Sequence, residues 1–186
     1  MDSQPVTTGE QPISKPKHEI IKEAKRIEES LLHTSKGHYA AASFWSSLNM
    51  LVGLTIAVIS GLVGAVAFKL WDTTGAMAGF LSLIVVVLSS LNAFLNPSDR
   101  ARVHRSAGHG YDALMNKTRI FYTIDCWRTE ADDVLTDRLK NLSERKDELN
   151  SKCPQPPYLA YLWAKRGIKA GEASYAVDKP KDPPSS

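Results

Sequence analysis

Four of the five histidines of this chain form two pairs, and their spacing limits the chemistry open to them. His33 and His38 lie five residues apart, as do His104 and His109. A zinc site on one face of a helix needs ligands three or four residues apart, because only those positions share a face. These histidines are therefore expected at helix interfaces or in solvent, and no metal site is predicted.

The other motifs that carry catalysis are absent from the sequence. Cys126 and Cys153 form no Cys-x-x-Cys pair, and there is no Gly-x-Ser-x-Gly elbow, Walker-type loop or dinucleotide fingerprint. The cysteines are interpreted as structural thiols in a reducing compartment. The protein is therefore predicted not to be an enzyme and to need no cofactor. A membrane enzyme whose site the sequence does not display stays open as a third hypothesis.

A basic face is the feature best suited to bind a ligand. Polar residues recur at steps of three and four after Pro97, on one side of a predicted helix: Arg102, Arg105, His109, Asp112, Asn116 and Arg119. Because arginine binds phosphate in a bidentate geometry, several copies of this face are predicted to hold a nucleotide or short oligonucleotide. The predicted ligand-binding residues are Arg102, Arg105, His109, Asn116 and Arg119. A solvated face and contacts to anionic lipid headgroups stay open as alternatives.

Two long apolar stretches precede this basic face in the chain. Residues 48–68 and 75–95 contain no charged side chain, and each is about 20 residues long, roughly the 30 Å of a hydrocarbon core. Two core helices of a soluble bundle are the alternative, but 186 residues leave too little chain to cover helices that are apolar on every side. The sequence therefore predicts two transmembrane helices joined as a hairpin by residues 69–74.

Charge on either side of the hairpin indicates its orientation. Basic residues precede the first span and follow the second, whereas the connecting loop holds one lysine and one aspartate: Lys15, Lys17, Lys22, Lys25, Arg26 and Lys36, then Arg100, Arg102 and Arg105. By the positive-inside rule, both termini of this multi-pass protein are predicted to be cytoplasmic, in the inner (plasma) membrane. Trp45 and Trp71 suit the two interfaces.

The remaining chain is predicted to form cytoplasmic amphipathic helices, which makes the fold class all-α. Residues 17–47 lead to the first span, with Ile20, Ala24, Ile27 and Leu31 on one stripe. Pro97 should break or bend the helix where the second span ends, with Ser98 capping the next helix. That helix runs to about residue 124, with an apolar stripe: Val103, Ala107, Tyr111, Leu114, Thr118 and Phe121.

The last predicted elements complete one domain over residues 17–175, of which 98–175 are cytoplasmic. Thr129 and Asp132 begin a helix that runs to about residue 150. Its expected buried residues are Val134, Leu135, Leu139, Leu142 and Leu149. A short amphipathic segment follows over residues 158–169, and the tails 1–16 and 176–186 are predicted to be disordered.

Small residues share one face of each span, opposite a bulky face. Small side chains let membrane helices approach closely, so these residues are predicted to pack between copies: Gly53, Ala57, Gly61, Gly64, Gly75, Gly79 and Ala93. The bulky face of the second span, predicted to meet lipid, contains Phe80, Leu81, Ile84, Val87, Leu88, Leu91 and Leu95. Packing of the hairpin against itself through the small faces stays open as the alternative.

A water path needs more than one hairpin, because two helices cannot enclose it. A homo-oligomer in a closed ring, for which we expect a tetramer, would provide one. The predicted pore-lining residues lie within about a quarter turn of the second span: Ser82, Ser89, Asn92 and Asn96. Gly108 and Gly110 bracket His109 inside the helix of the basic face, where glycine is unfavourable. We therefore expect a close helix contact or a bend there.

Taken in order, these elements resemble the SLATT family, two-span effector domains associated with bacterial nucleotide-signalling conflict systems. The resemblance covers roughly residues 18–178. It is carried by the segments 24–30, 94–98, 111–114, 145–150 and 164–168, with His38, Trp45, Gly171 and Tyr175. It implies a pore-forming effector in antiphage defence and abortive infection, triggered by a nucleotide signal or a nucleotidyltransferase partner. It implies no catalytic site. A non-conducting anchor that recruits a cytoplasmic partner stays open as the alternative.

Overall fold

The computed structural model describes residues 15–68, 75–128 and 131–157, together with positions 162 and 166. This part of the chain is helical and contains no β-strand, which confirms the all-α prediction. Its elements are α1 (Lys15–Ala67), α2 (Gly75–Leu95), α3 (Pro97–Thr123), a 3-10 turn (Asp125–Trp127) and α4 (Asp132–Lys152). The predicted connecting loop 69–74, almost all of the predicted tails and most of the segment 158–169 lie outside the described residues.

Helix α1 is a single rod of 53 residues, about 80 Å long. The predicted leading helix and the first span are therefore one element, because no proline occurs between residues 17 and 67. The helix begins at Lys15, inside the predicted tail. Pro16 occupies the first turn, where its missing N–H costs nothing.

Asn96 alone separates α2 from α3. Its backbone lies in the left-handed region, with φ 44° and ψ 56°, and its side chain accepts a hydrogen bond from the Asp99 N–H at 3.4 Å. Pro97 takes the first helical position of α3, so the predicted break at this proline is confirmed. The prediction of Ser98 as the cap is wrong, because asparagine tolerates the left-handed conformation and caps as well as serine does.

We call residues 15–43 of α1, with α3 and α4, the polar bundle. Helix α3 packs along α1 and α4 folds back over both. The core contains the predicted stripe of α1, most of that of α3 and one residue of α4: Ile20, Ala24, Ile27, Leu31, Ala107, Tyr111, Leu114, Thr118, Phe121 and Leu135.

Two predicted core residues of the bundle lie at its surface. Val103 is 38% exposed and Val134 is 44% exposed. Each precedes a buried residue, His104 or Leu135, by one position, which is about 100° around a helix and enough to leave the interface. Helix α4 begins after Ala131, without a side-chain cap. The capping role predicted for Thr129 lies outside the described residues.

We call residues 48–67 and 75–95 the apolar hairpin. Both of its helices are long and apolar enough to cross a membrane, and none of the most apolar window of either is buried within the protein. Phe94, for instance, is 85% exposed. The half-buried residues of α2 mark its side towards α1 and include Ala78, Leu81, Val85, Leu88 and Asn92.

Candidate functional site

The small faces of the apolar hairpin are uncovered. A Cβ atom added at any of five glycines would meet no atom within 4 Å: Gly53, Gly61, Gly64, Gly75 and Gly79. Ala57 and Ala93 are also exposed. Packing of the hairpin against itself is therefore wrong as an account of these positions. Packing between copies stays a prediction.

The bulky face of α2 is divided between the surface and α1. Phe80, Val87 and Leu91 are exposed, as predicted for residues that meet lipid. Leu81 and Leu88 are instead half-buried, and Ile84 is too. The contact with α1 thus lies between the small face and the bulky face. The prediction that the whole bulky face points outwards is wrong for these three residues, because α1 must pack against one flank of α2.

The structure separates the four predicted pore-lining residues. Ser82 and Ser89 are exposed beside the uncovered glycines, and the Ser82 hydroxyl donates to the Ala78 carbonyl at 2.9 Å. Asn96 is exposed but caps α3. Asn92 is half-buried towards α1, and its Oδ1 is enclosed with no hydrogen-bond partner in the described part of the chain. Only the two serines share a surface with the glycines in a single copy.

The predicted basic face forms one flank of α3. Arg102, Arg105 and His109 are exposed, whereas Asn116 and Arg119 are half-buried. Two arginines of the face donate side-chain hydrogen bonds to residues three positions earlier in α3. Arg102 donates to the Asp99 carboxylate at 2.6 Å, and Arg119 donates to the Asn116 amide oxygen at 3.4 Å.

Helix α4 packs on a neighbouring flank of α3, where a Cβ on Gly110 would be 3.3 Å from the Leu149 side chain. The basic face is therefore not covered by α4.

Tyr39 of α1 joins the basic face, although no pattern in the sequence indicates it. Its hydroxyl lies 3.0 Å from His109 Nδ1, with the two rings edge to face. Burial raises the pKa of Tyr39, and the charge of Asp112 raises it further, so the hydroxyl stays protonated. Its ring lies against Gly108, where a Cβ would be 2.9 Å from Cε1. The predicted close helix contact at Gly108 and Gly110 is thus confirmed.

His38 of α1 and His104 of α3 meet in the core of the polar bundle. They are 1% and 6% exposed, and their Nδ1 atoms lie 3.1 Å apart. Tyr111 stacks on His38 with ring centroids 5.3 Å apart and donates its hydroxyl to Asn150 Oδ1 of α4 at 3.0 Å. The prediction that histidines lie at helix interfaces is confirmed for this pair. No set of three metal-ligating side chains occurs in the described ranges.

Burial lowers the pKa of His38 to about 4, and the charge that His104 can carry lowers it too. Burial and the Arg100 cation lower the pKa of His104. Burial and the neighbouring Cys153 raise the pKa of Tyr111 to about 12. The three rings are therefore uncharged at neutral pH. Because His38 and His104 are 66 residues apart in the chain, no local pattern could have paired them.

Arg100 lies where the apolar hairpin joins the polar bundle. Its Nε donates to the Leu95 carbonyl at 2.8 Å, which is one of the last carbonyls of α2, and its guanidinium lies 5.0 Å from the centre of the Trp45 ring. A cation at a helix C-terminus offsets the negative end of the helix dipole. Through Arg100, the start of α3 is thus linked both to the end of α2 and to α1, at the level predicted for a membrane interface.

The chain matches no protein-family model, no curated protein and no solved structure. The resemblance to the SLATT family stays a prediction that rests on the residues quoted above.

Proposed function

We propose that this protein is a homo-oligomeric membrane pore, gated at its polar bundle by an anionic nucleotide-type ligand. One observation carries the proposal. Gly53, Gly61, Gly75 and Gly79 lie exposed on the outer surface of the apolar hairpin, and the two helices contact each other through a different face. Lipid provides no hydrophobic drive for helix association, so small residues that allow close backbone approach are what self-assembly in a bilayer needs.

The exposure of the apolar hairpin supports a membrane as its surroundings. Met50, Leu51, Phe80 and Phe94 are all more than half exposed. A soluble protein rarely exposes a contiguous apolar surface of this extent, whereas hydrocarbon would cover it at no cost. In the proposed topology, the polar bundle and both termini lie in the cytoplasm, in accord with the positive-inside rule.

Several copies would form a closed ring through their small faces. Ser82 and Ser89, which adjoin these faces, are then the hydroxyls nearest the contact between copies. A tetramer is our working stoichiometry. Asn92 would reach the water path only if α2 turns relative to α1 on assembly, which would also solvate its unpartnered Oδ1.

The basic face would bind the signal. Copies related by a ring axis would bring several sets of Arg102, Arg105 and Arg119 together at the cytoplasmic mouth, where guanidinium groups suit phosphate. We propose a nucleotide or short oligonucleotide made by a nucleotidyltransferase partner, in antiphage defence of the kind that the SLATT resemblance implies. Tyr39 and His109 add aromatic rings beside the arginines, and a base can stack on the face of such a ring.

The helices provide a direct mechanical connection between ligand and pore. Helix α1 runs unbroken from the polar bundle through the apolar hairpin, and only Asn96 separates α2 from α3. A ligand that draws several α3 helices together would therefore move the spans themselves. No flexible linker occurs in either connection to absorb the motion.

Ion flux through liposomes that contain the purified protein tests this function. We expect flux that changes when the partner's nucleotide product is added. Changing Arg102, Arg105 and Arg119 to Glu should abolish the response without preventing assembly. The matched control reverses three exposed cations of α4, Lys140, Arg145 and Lys152, and should respond as the unaltered protein does.

Two outcomes would contradict the proposal. Absence of flux under all conditions, with the protein inserted and oligomeric, would favour the non-conducting anchor. An unchanged response in the Arg102, Arg105 and Arg119 variant would remove the basic face from gating and favour its role as a lipid-headgroup contact.

A further inference from the structure

The buried histidine pair has a geometry that admits only part of its possible protonation states. The Nδ1 atoms of His38 and His104 face each other at 3.1 Å, so a single hydrogen fits between them. One ring must donate through Nδ1–H, and the other must accept with a bare Nδ1. The donor ring can take one more proton on its Nε2 and keep this bond. A second added proton must go to the accepting Nδ1 and break it.

Among the described residues, the groups around the pair offer no compensation for positive charge. Arg100 of α3 is the cation that acts on His104, and it opposes any further positive charge there. Tyr111, also of α3, stacks on His38 and is neutral. Asn150 of α4 and Cys153, the residue after α4, both reach Tyr111. Neither is a carboxylate that could offset positive charge on the histidine pair. Each proton added to the pair therefore raises the free energy of the closed bundle relative to the open one, in which water solvates the charge.

We propose that the His38–His104 pair is a proton-sensitive clamp that holds α1 against α3 while the rings share one hydrogen, and that releases them when both rings become imidazolium in acid. The clamp is a second input to the protein, separate from the proposed ligand face. It does not depend on the pore function, because it concerns the contact between two helices of the polar bundle.

The pH range of release follows from the difference between the closed and open states. In an opened or unfolded chain each histidine binds its proton near the ordinary pKa of 6.5, whereas in the closed bundle the pKa of His38 is about 4. Above pH 6.5 neither state binds the extra protons, so the clamp contributes its full stability. As the pH falls from 6.5 to about 4, the open state takes up protons that the closed state excludes, and stability decreases.

The clamp lies where release would act on the spans. His38 is ten residues before residue 48, and His104 is nine residues after Leu95. At ~1.5 Å per residue, both lie about 15 Å from the apolar hairpin. Separation of α1 from α3 at this level would loosen the base of the hairpin, including the contact of Arg100 with Trp45.

Nitrogen NMR of the full-length protein in detergent micelles, with ¹⁵N-labelled histidine, tests the clamp without any substitution. Between pH 8 and pH 4 we expect two of the five histidine rings to gain their protons below the ordinary histidine pKa of 6.5, one of them near pH 4. The signals of the other three histidines are recorded in the same spectra for comparison. If every ring titrates independently near the ordinary histidine pKa, the proposal is overturned.

A variant then links protonation to helix separation. His38→Gln together with His104→Gln keeps a polar pair that cannot bind protons, and His18→Gln is the control because His18 is exposed on α1. Hydrogen exchange is compared between pH 7 and pH 4.5, corrected for the intrinsic pH dependence. In the unaltered and His18→Gln proteins, residues 35–42 and 101–108 should exchange at least about tenfold faster in acid. A factor of about ten corresponds to a difference of one unit in the histidine pKa between the closed and open states.

The double variant should show no such acceleration if the clamp is correct. Equal acceleration in the double variant, or none in the unaltered protein, would overturn it. If the double variant does not fold, the titration and the hydrogen exchange of the unaltered protein still decide the question.

Discussion

The ring of Tyr39 lies directly against the backbone of Gly108, so that a Cβ atom on this glycine would be only 2.9 Å from Cε1. The hydroxyl of Tyr39 at the same time reaches His109 Nδ1 at 3.0 Å. The ring is therefore held at both ends, by packing and by a hydrogen bond. This contact joins α1 to the helix that carries the basic face.

Gly108→Ala should consequently destabilise the polar bundle. A methyl group would displace a rigid ring, which costs about 1–3 kcal/mol, whereas the gain in helix propensity is about 1 kcal/mol. We expect a net loss of about 1 kcal/mol in the free energy of unfolding, measured by chemical denaturation in detergent. Gly110→Ala is the control, because its Cβ would meet the flexible end of Leu149 at 3.3 Å. Equal losses in both variants would show that the ring does not limit this position.

The cap between α2 and α3 leads to a second prediction. Asn96→Val should lower the free energy of unfolding by about 1–2 kcal/mol, because a β-branched residue tolerates the left-handed backbone poorly and cannot cap. Asn96→Gly should cost only a few tenths of a kcal/mol. Ser98→Ala should be neutral. Thermal unfolding of the three variants compares them, and a loss in Ser98→Ala as large as that in Asn96→Val would return the cap to Ser98.

The sequence predicts those parts of the fold that depend on local periodicity. The stripe of Ile20, Ala24, Ile27 and Leu31 is buried as expected, and Pro97 ends the second apolar helix. The sequence does not single out Asn96 as the cap, since both Asn96 and Ser98 are good capping residues and only the backbone conformation decides between them.

The candidate sites could be predicted only in part, because their residues come from different helices. The arginines share a face of α3, which their spacing shows. Tyr39 reaches that face from α1, 70 residues earlier than His109, and the His38–His104 pair is similarly separated. The sequence does not show which side of α2 meets α1, because Leu81 and Leu88 are as apolar as residues that would meet lipid.

Topology can be tested by labelling with an impermeant thiol reagent in intact cells. Cys126→Ala and Cys153→Ser remove the native thiols, and a single cysteine is then placed either at Thr73 or at Ser186. We expect labelling from outside at residue 73 and none at residue 186 until the cells are opened. Labelling at both positions, or only at residue 186, would contradict cytoplasmic termini.

Assembly should depend on the small faces. Gly53→Leu and Gly79→Leu each place a bulky side chain on an uncovered surface that tolerates it sterically in a single copy. We expect both to insert into membranes and to shift the protein towards monomers, measured by light scattering in detergent. Val87→Phe enlarges the exposed bulky face instead and should leave the oligomer unchanged. If all three behave alike, the glycines do not form the contact between copies.

Single-channel recording in planar bilayers tests most directly whether oligomers formed through the small faces conduct ions. The account predicts discrete current steps for the unaltered protein and for Val87→Phe, and loss of these steps for Gly79→Leu at equal amounts of inserted protein. Steps of the same size and frequency in Gly79→Leu, or none with the unaltered protein at any ligand concentration, would contradict it.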